Sequence, residues 1–268
     1  MIPIQQINNS ANQQMRSVDL NCDLGEAMDE EHHAIEARVM ASVTSVNVAC
    51  GFHAGTPEII RRTVRLAKVQ GVAIGAHPGF LDREGFGRRA IFMAPGEVET
   101  LVAYQVGALA GVAALEEASL SHVKPHGALY NMAAHDRALA EAIVRAVAAV
   151  DRGLILFGPA GSLLIEAARA MGLRAAEEVF ADRAYSPNGM LMPRDLPGSV
   201  IHDEHEVLKR ALQSVREGVV PSYQGANLRL HADTICLHGD TPGADRLARI
   251  LRQGLEGAGV RVAPVGRD

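Results

Sequence analysis

The sequence predicts an α/β fold, a (β/α) barrel of seven or eight parallel strands, and three observations point to it. Short β-prone runs alternate with Ala/Leu/Glu/Arg-rich stretches along the chain, the pattern of parallel strands joined by helical crossovers. The length, 268 residues, suits a closed barrel, which typically takes about 250. Polar residues and glycines collect at the ends of the β-prone runs, where α/β folds place their sites. An open doubly wound sheet is the competing architecture. It asks for a Gly-rich fingerprint after the first strand, and that loop reads Asp23-Leu24-Gly25-Glu26 instead.

The elements follow in order. Residues 1–17 are polar and rich in Asn and Gln, with neither a charged start nor an apolar stretch. They read as a flexible arm and not a signal peptide, ahead of a single barrel domain over 18–268. Strands are expected at 18–24, 43–49, 72–76, 121–124, 154–157, 175–180, 234–237 and 260–263. Helices are expected at about 32–42, 57–70, 97–118, 128–149, 160–171, 204–217 and 242–256. Thr56-Pro57-Glu58 supplies a cap, a first-turn proline and an acid. Pro95-Gly96-Glu97 and Thr241-Pro242-Gly243 mark two more helix starts, and Gly71 and Gly172 two helix ends.

Composition narrows the function. With 48% hydrophobic and 21% charged residues, the chain is not a disordered one. It has no Trp and ten Phe plus Tyr, so an aromatic platform for single-stranded nucleic acid is not expected. The net charge of -5 argues against a nucleic-acid partner. Cys22, Cys50 and Cys236 form no CxxC pair, which fits a reducing compartment and a cytoplasmic address. No apolar stretch is read as long enough to span a bilayer, so no membrane is expected.

The chemistry collects at strand ends. Asp19, Asn21 and Asp23 alternate along the first strand and so share a face. His53, His77, His126 and His238 each follow an apolar strand candidate; in either α/β architecture such ends converge on one mouth. Asp23, Asp182 and Asp240 are candidate bases, acids or cation ligands. Histidines titrate near neutral pH and shuttle protons. Lys124, if desolvated, is a candidate to polarise an oxygen or act as a base. Arg83, Arg88 and Arg183 are candidate forks for a substrate carboxylate. Residues 82–89 read as a charged, Gly-rich lid. The catalytic candidates are therefore Asp23, His53, His77, Lys124, His126 and Asp182. The substrate-binding candidates are Asn21, Asn47, Arg83, Arg88, Asn131, Arg183, His238 and Asp240. No metal ligand is assigned, although a mononuclear site from Asp23, His53 and His77 stays open. No P-loop, GxSxG elbow or HExxH helix is present.

Six blocks carry a resemblance: DLNCDLGE (19–26), NVACGFHAG (47–55), GAHPGFLDREGFGRR (75–89), VKPHGALYN (123–131), EVFADRAY (178–185) and HGDTP (238–242). Together they resemble the LamB/YcsF lactam-utilisation family, over about residues 18–262. Two departures are Gly79-Phe80-Leu81, in place of a Ser-Phe-Pro-like stretch, and Thr56, in place of Asp. The resemblance implies a distorted TIM-like (β/α) barrel of the glycoside hydrolase/deacetylase type. It implies a role as the A-type component of an ATP-dependent 5-oxoprolinase that opens 5-oxo-L-proline to L-glutamate. It also implies ATP with Mg2+ and partner subunits B and C; a homo-oligomer and a metal in the barrel stay open. Two other classes compete: a stand-alone metal-dependent deacetylase or amidohydrolase, and a non-catalytic substrate-holding subunit.

Overall fold

A computed structural model describes residues 16–26, 29–194, 196–239 and 243–266, the side chain of His238 excepted. Seven parallel strands close a ring. They are β1 (Ser17–Leu24), β2 (Ser45–Ala49), β3 (Ala73–His77), β4 (His122–Val123), β5 (Ile155–Pro159), β6 (Ala175–Phe180) and β9 (Thr234–His238), and β9 pairs with both β6 and β1. The expected eighth strand is β10 (Arg261–Val262), which pairs only with Ser17 and Val18 at the start of β1 and stays outside the ring. The barrel is therefore seven-stranded. β7 (Val219–Pro221) and β8 (Asn227–Arg229) form a separate antiparallel pair that the sequence did not suggest; three-residue strands carry too little alternation to be read.

Helices α1 (Glu30–Met40), α2 (Pro57–Gln70), α3 (Pro95–Leu115), α4 (Gly127–Ala133), α5 (Arg137–Val150), α6 (Leu163–Ala170), α7 (Glu204–Glu217) and α8 (Ala244–Gly257) connect the strands. Their ends follow local chemistry. Thr56 Oγ1 accepts from the Ile59 amide at the start of α2, and Gly71, at φ 70°, ends it. The single helix expected over 128–149 is two. Asp136 accepts from the Leu139 amide and begins a new helix, so the chain turns between α4 and α5. Thr241 and Pro242 lie outside the described residues. α3 corrects the expectation about membranes: its 21 residues are apolar enough, by length and composition, to cross one. In this fold it packs against α2 and α5, and the side chain of its Gln105 is buried, bonded to both backbone groups of Gly79.

The expected arm needs one correction. β1 opens at Ser17, and Arg16 is already tied in, its carbonyl accepting from the Arg261 amide and its guanidinium donating to the Val215 carbonyl. Residues 1–15 lie outside the described residues.

The apolar core lies between the ring and its helices, built from Leu20, Val46, Val48, Ile74, Val123, Leu156, Val179 and Ile235 against helical Ala, Val and Leu. The inside of the ring is polar. Asp19, Asn21, Ser45, Asn47, His77, His122, Glu178 and Thr234 are all buried, and all of them but His77 bond to one another across the barrel. Such groups survive burial only when paired. Gly75 shows how tight the fit is: a Cβ there would land in the His122 ring.

Candidate active site

The C-terminal ends of the strands open into a cavity of about 990 Å³. Asp23, His77, Lys124 and His126 line it, together with Glu26, Glu178, Tyr130, Asn131 and Arg88. Its far wall is the 183–194 excursion after β6 and the 159–163 turn before α6.

Lys124 is the centre of the floor. Its Nζ lies 3.1 Å from Asp23 Oδ1, 3.0 Å from Glu178 Oε1, 3.2 Å from Asn21 Oδ1 and 3.0 Å from Cys236 Sγ. Burial opposes its charge, but Asp23, Cys236 and Glu178 hold the ammonium well above its ordinary value. These neighbours favour the charged form of Lys124 over the neutral amine that a base requires. Asn47 bridges the layers, donating to Asn21 Oδ1 and Asp23 Oδ1 while its own Oδ1 sits 2.8 Å from His122 Nε2. Glu178 accepts from Asn21 Nδ2 at 2.7 Å and from the Tyr130 hydroxyl at 2.6 Å.

Three histidines meet beside this floor. His77 Nδ1 donates to the Lys124 carbonyl at 2.7 Å, and its Nε2 lies 3.3 Å from Asp23 Oδ2. Burial would lower the His77 pKa, yet Asp23 outweighs that and the ring is held above its ordinary value. His126 stands at the N-terminus of α4, with Nδ1 2.9 Å from His77 Nε2 and Nε2 donating to the Phe86 carbonyl at 2.8 Å. His53 stacks on His126, ring centroids 3.7 Å apart, and its Nε2 lies 3.1 Å from Glu26 Oε1. Burial, then the neighbouring imidazoles, push His53 and His126 well below the ordinary range. One donor atom each from Glu26, His53, His77 and His126 falls within 4.8 Å of the others.

The remaining candidates divide. Arg88 and Asn131 line the cavity. Asn21 and Asn47 lie buried in the ring beneath it and position Asp23 and Lys124. Arg183 borders the cavity, but its guanidinium is engaged by the Ser199 and Met192 carbonyls. Arg83 donates to the Gly51 and Gly55 carbonyls, so it braces the loop after β2 and is not a substrate fork. Asp182 is buried and not part of the cavity lining. The His238 side chain and Asp240 lie outside the described residues. The expected lid is fastened down: Asp82 binds Arg89 and the Gly85 amide, and the Gly87 carbonyl accepts from the Ala128 amide. Arg89 holds the Asp82 carboxyl down at about 2.

Sequence reasoning missed Glu26, Glu178, His122 and Tyr130. Glu178 was within reach, because period two on β6 puts it on one face with Ala176 and Phe180. Glu26 follows the turn at Gly25, φ 75°, beyond any strand periodicity.

Comparison with known proteins agrees over nearly the whole chain. The model of the LamB/YcsF family matches residues 18–268. The A-type component of 5-oxoprolinase from Geobacillus kaustophilus is 52% identical over 254 residues, 95% of this chain and 99% of that one. The crystal structure of a lactam utilization protein from Thermus thermophilus superimposes with a TM-score of 0.84 at 47% identity, covering 92% of this chain and 99% of that one. A deacetylase, T48, solved with substrate, shares the fold alone, with a TM-score of 0.50 at 14% identity over 93% of this chain and 88% of that one.

Proposed function

Since the chain belongs to the LamB/YcsF family, we propose that it is the lactam-opening component of an ATP-dependent 5-oxoprolinase. It turns 5-oxo-L-proline into L-glutamate with ADP and phosphate, in the cytoplasm, in a complex with subunits B and C. The observation that carries this reading is the Asp23–Lys124–His77 array on the floor of a cavity large enough for a small cyclic amide.

The chemistry asks for such an array. A lactam carbonyl is deactivated by resonance with its nitrogen. Transfer of the ATP γ-phosphoryl group to the lactam oxygen releases ADP and makes the ring carbon a stronger electrophile. Water adds to that carbon and gives up a proton, the ring C–N bond breaks, and the nitrogen takes a proton to become the amino group. A second water releases phosphate and leaves the side-chain carboxylate. Asp23 is an acceptor for the proton of the attacking water and passes it on to the departing nitrogen, with His77 held beside it. Lys124 supplies fixed positive charge beneath the oxygen where negative charge develops. Arg88, on the cavity wall, fits the substrate carboxylate.

The test is reconstitution. Glutamate release from 5-oxoproline should require ATP, and should be high only when this chain is mixed with its partner subunits. ATP-independent release by the chain alone would refute the proposal and favour a lone hydrolase. Full turnover with Asp23→Asn in the complex would favour a substrate-holding role.

A further inference from the structure

We propose that Glu26, His53, His77 and His126 form a binding site for one divalent transition-metal ion of the Zn2+ class, at the edge of the cavity. A neutral imidazole carries one N–H and one lone pair. His77 Nδ1 faces the Lys124 carbonyl at 2.7 Å, and His126 Nε2 faces the Phe86 carbonyl at 2.8 Å. A carbonyl oxygen only accepts, so each contact fixes the ring proton on that nitrogen. In the neutral rings that metal binding requires, His77 Nε2 and His126 Nδ1 are left with their lone pairs, and these two atoms lie 2.9 Å apart. Two lone pairs at that distance repel unless a cation joins them.

The surroundings suit a metal ion. Glu26 Oε1 is 3.1 Å from His53 Nε2 and 3.7 Å from His126 Nδ1, so a carboxylate oxygen and a third imidazole close on the same point. Asp23 stands behind, 3.3 Å from His77 Nε2. The rings are also held in place. Carbonyl acceptors on the far nitrogens of His77 and His126 are the orienting contacts that metal-bound histidines use. A Cβ on Gly79 would come 2.8 Å from His53 Nδ1, and one on Gly87 2.8 Å from His126 Cδ2, so backbone packs directly on both rings. Three imidazoles with one carboxylate match Zn2+, Co2+ or Ni2+, whereas Mg2+ and Ca2+ take all-oxygen shells. A proton shared by His77 and His126 is the competing occupant, and it engages two of the four residues.

The test reads metal and not turnover, so it stands or falls apart from the lactam reading. The full chain is stripped with a chelator and titrated with Co2+ while visible absorption is followed. Metal retained after gel filtration in Zn2+ is then counted. One equivalent per chain is expected, with Co2+ bands of nitrogen ligation, and at least about a tenfold loss of affinity in Glu26→Gln and in His126→Ala. Glu26→Gln keeps the test decisive if His126→Ala fails to fold. Failure of the native chain to retain either ion, or equal affinity in the native chain and Glu26→Gln, would overturn the proposal. So would histidine 15N spectra that Zn2+ leaves unchanged and that show one proton shared between His77 and His126.

Discussion

Replacing Asp19 with Asn should shift stability in favour of the variant as pH rises. Asp19 is buried at the base of the ring, where its carboxylate accepts from Thr44, Ser45 and Thr234. Burial raises its pKa from 3.8 to about 6, against the pull of those hydroxyls. For an acid raised in this way the folded state binds the proton more tightly. Its contribution is therefore full below pH 3.8 and is lost as pH climbs through about 6. At about 1.4 kcal/mol per pH unit, about 1 kcal/mol is gone at pH 4.5 and about 3 kcal/mol at pH 7.5. The replacing amide has the same shape and no charge to bury, so any fixed cost of a changed hydrogen bond cancels between the two pH values. Equilibrium urea unfolding of both proteins at each pH should show the variant gaining about 2 kcal/mol on the native chain between them. A difference that stays flat, or that shrinks with pH, would refute the reasoning and mean that the three hydroxyls outweigh burial.

Three more outcomes are expected. Asp23→Asn should lower turnover of the reconstituted complex by about 100-fold or more, the scale of a lost general base; steady-state rates within a factor of three of native (about 0.7 kcal/mol) remove Asp23 from the chemistry. Tyr130→Phe takes the 2.6 Å donor from Glu178 Oε2 and should cost about 1–3 kcal/mol in urea unfolding; a smaller loss means that water replaces the hydroxyl. Gly75→Ala should destabilise by about 1–3 kcal/mol or more through its clash with His122. The same change in a His122→Ala background should cost far less, and equal costs in both backgrounds would show that the clash is relieved some other way.

The sequence made much of this site legible, because strand geometry is a strict rule. Period two put Asp19, Asn21 and Asp23 on one face, and all three do turn into the ring. Parallel topology brought His77, His126 and Lys124 together from positions up to 49 residues apart. What sequence could not show is which charges are already consumed. Arg83 and Arg183 look like forks for an anion until the backbone carbonyls that hold them are seen. The Asp82 loop looks like a lid until Arg89 and the Gly85 amide are found on its carboxylate. Charge and glycine content mark a loop as unusual, but carbonyl positions are set by tertiary contacts that leave no local pattern.

Closure of the ring by β9 against β1 has a consequence for synthesis. Asp19 is bonded to Thr234, 215 positions later, and Asn21 to the same threonine, 213 positions away. A chain emerging from the ribosome can pair β1 with β2 early, but the other edge of β1 stays open until nearly the whole polypeptide is out. The helices and the Ala/Val/Leu layer can collapse early, since their contacts are local. The buried network cannot form until β9 arrives, so the last strand decides when the reactive floor exists. A nascent chain halted before residue 234 would leave Asp19 and Asn21 without Thr234 and Lys124 without Cys236, with an open seam beside β1 exposed to chaperones or to the seam of another unfinished copy.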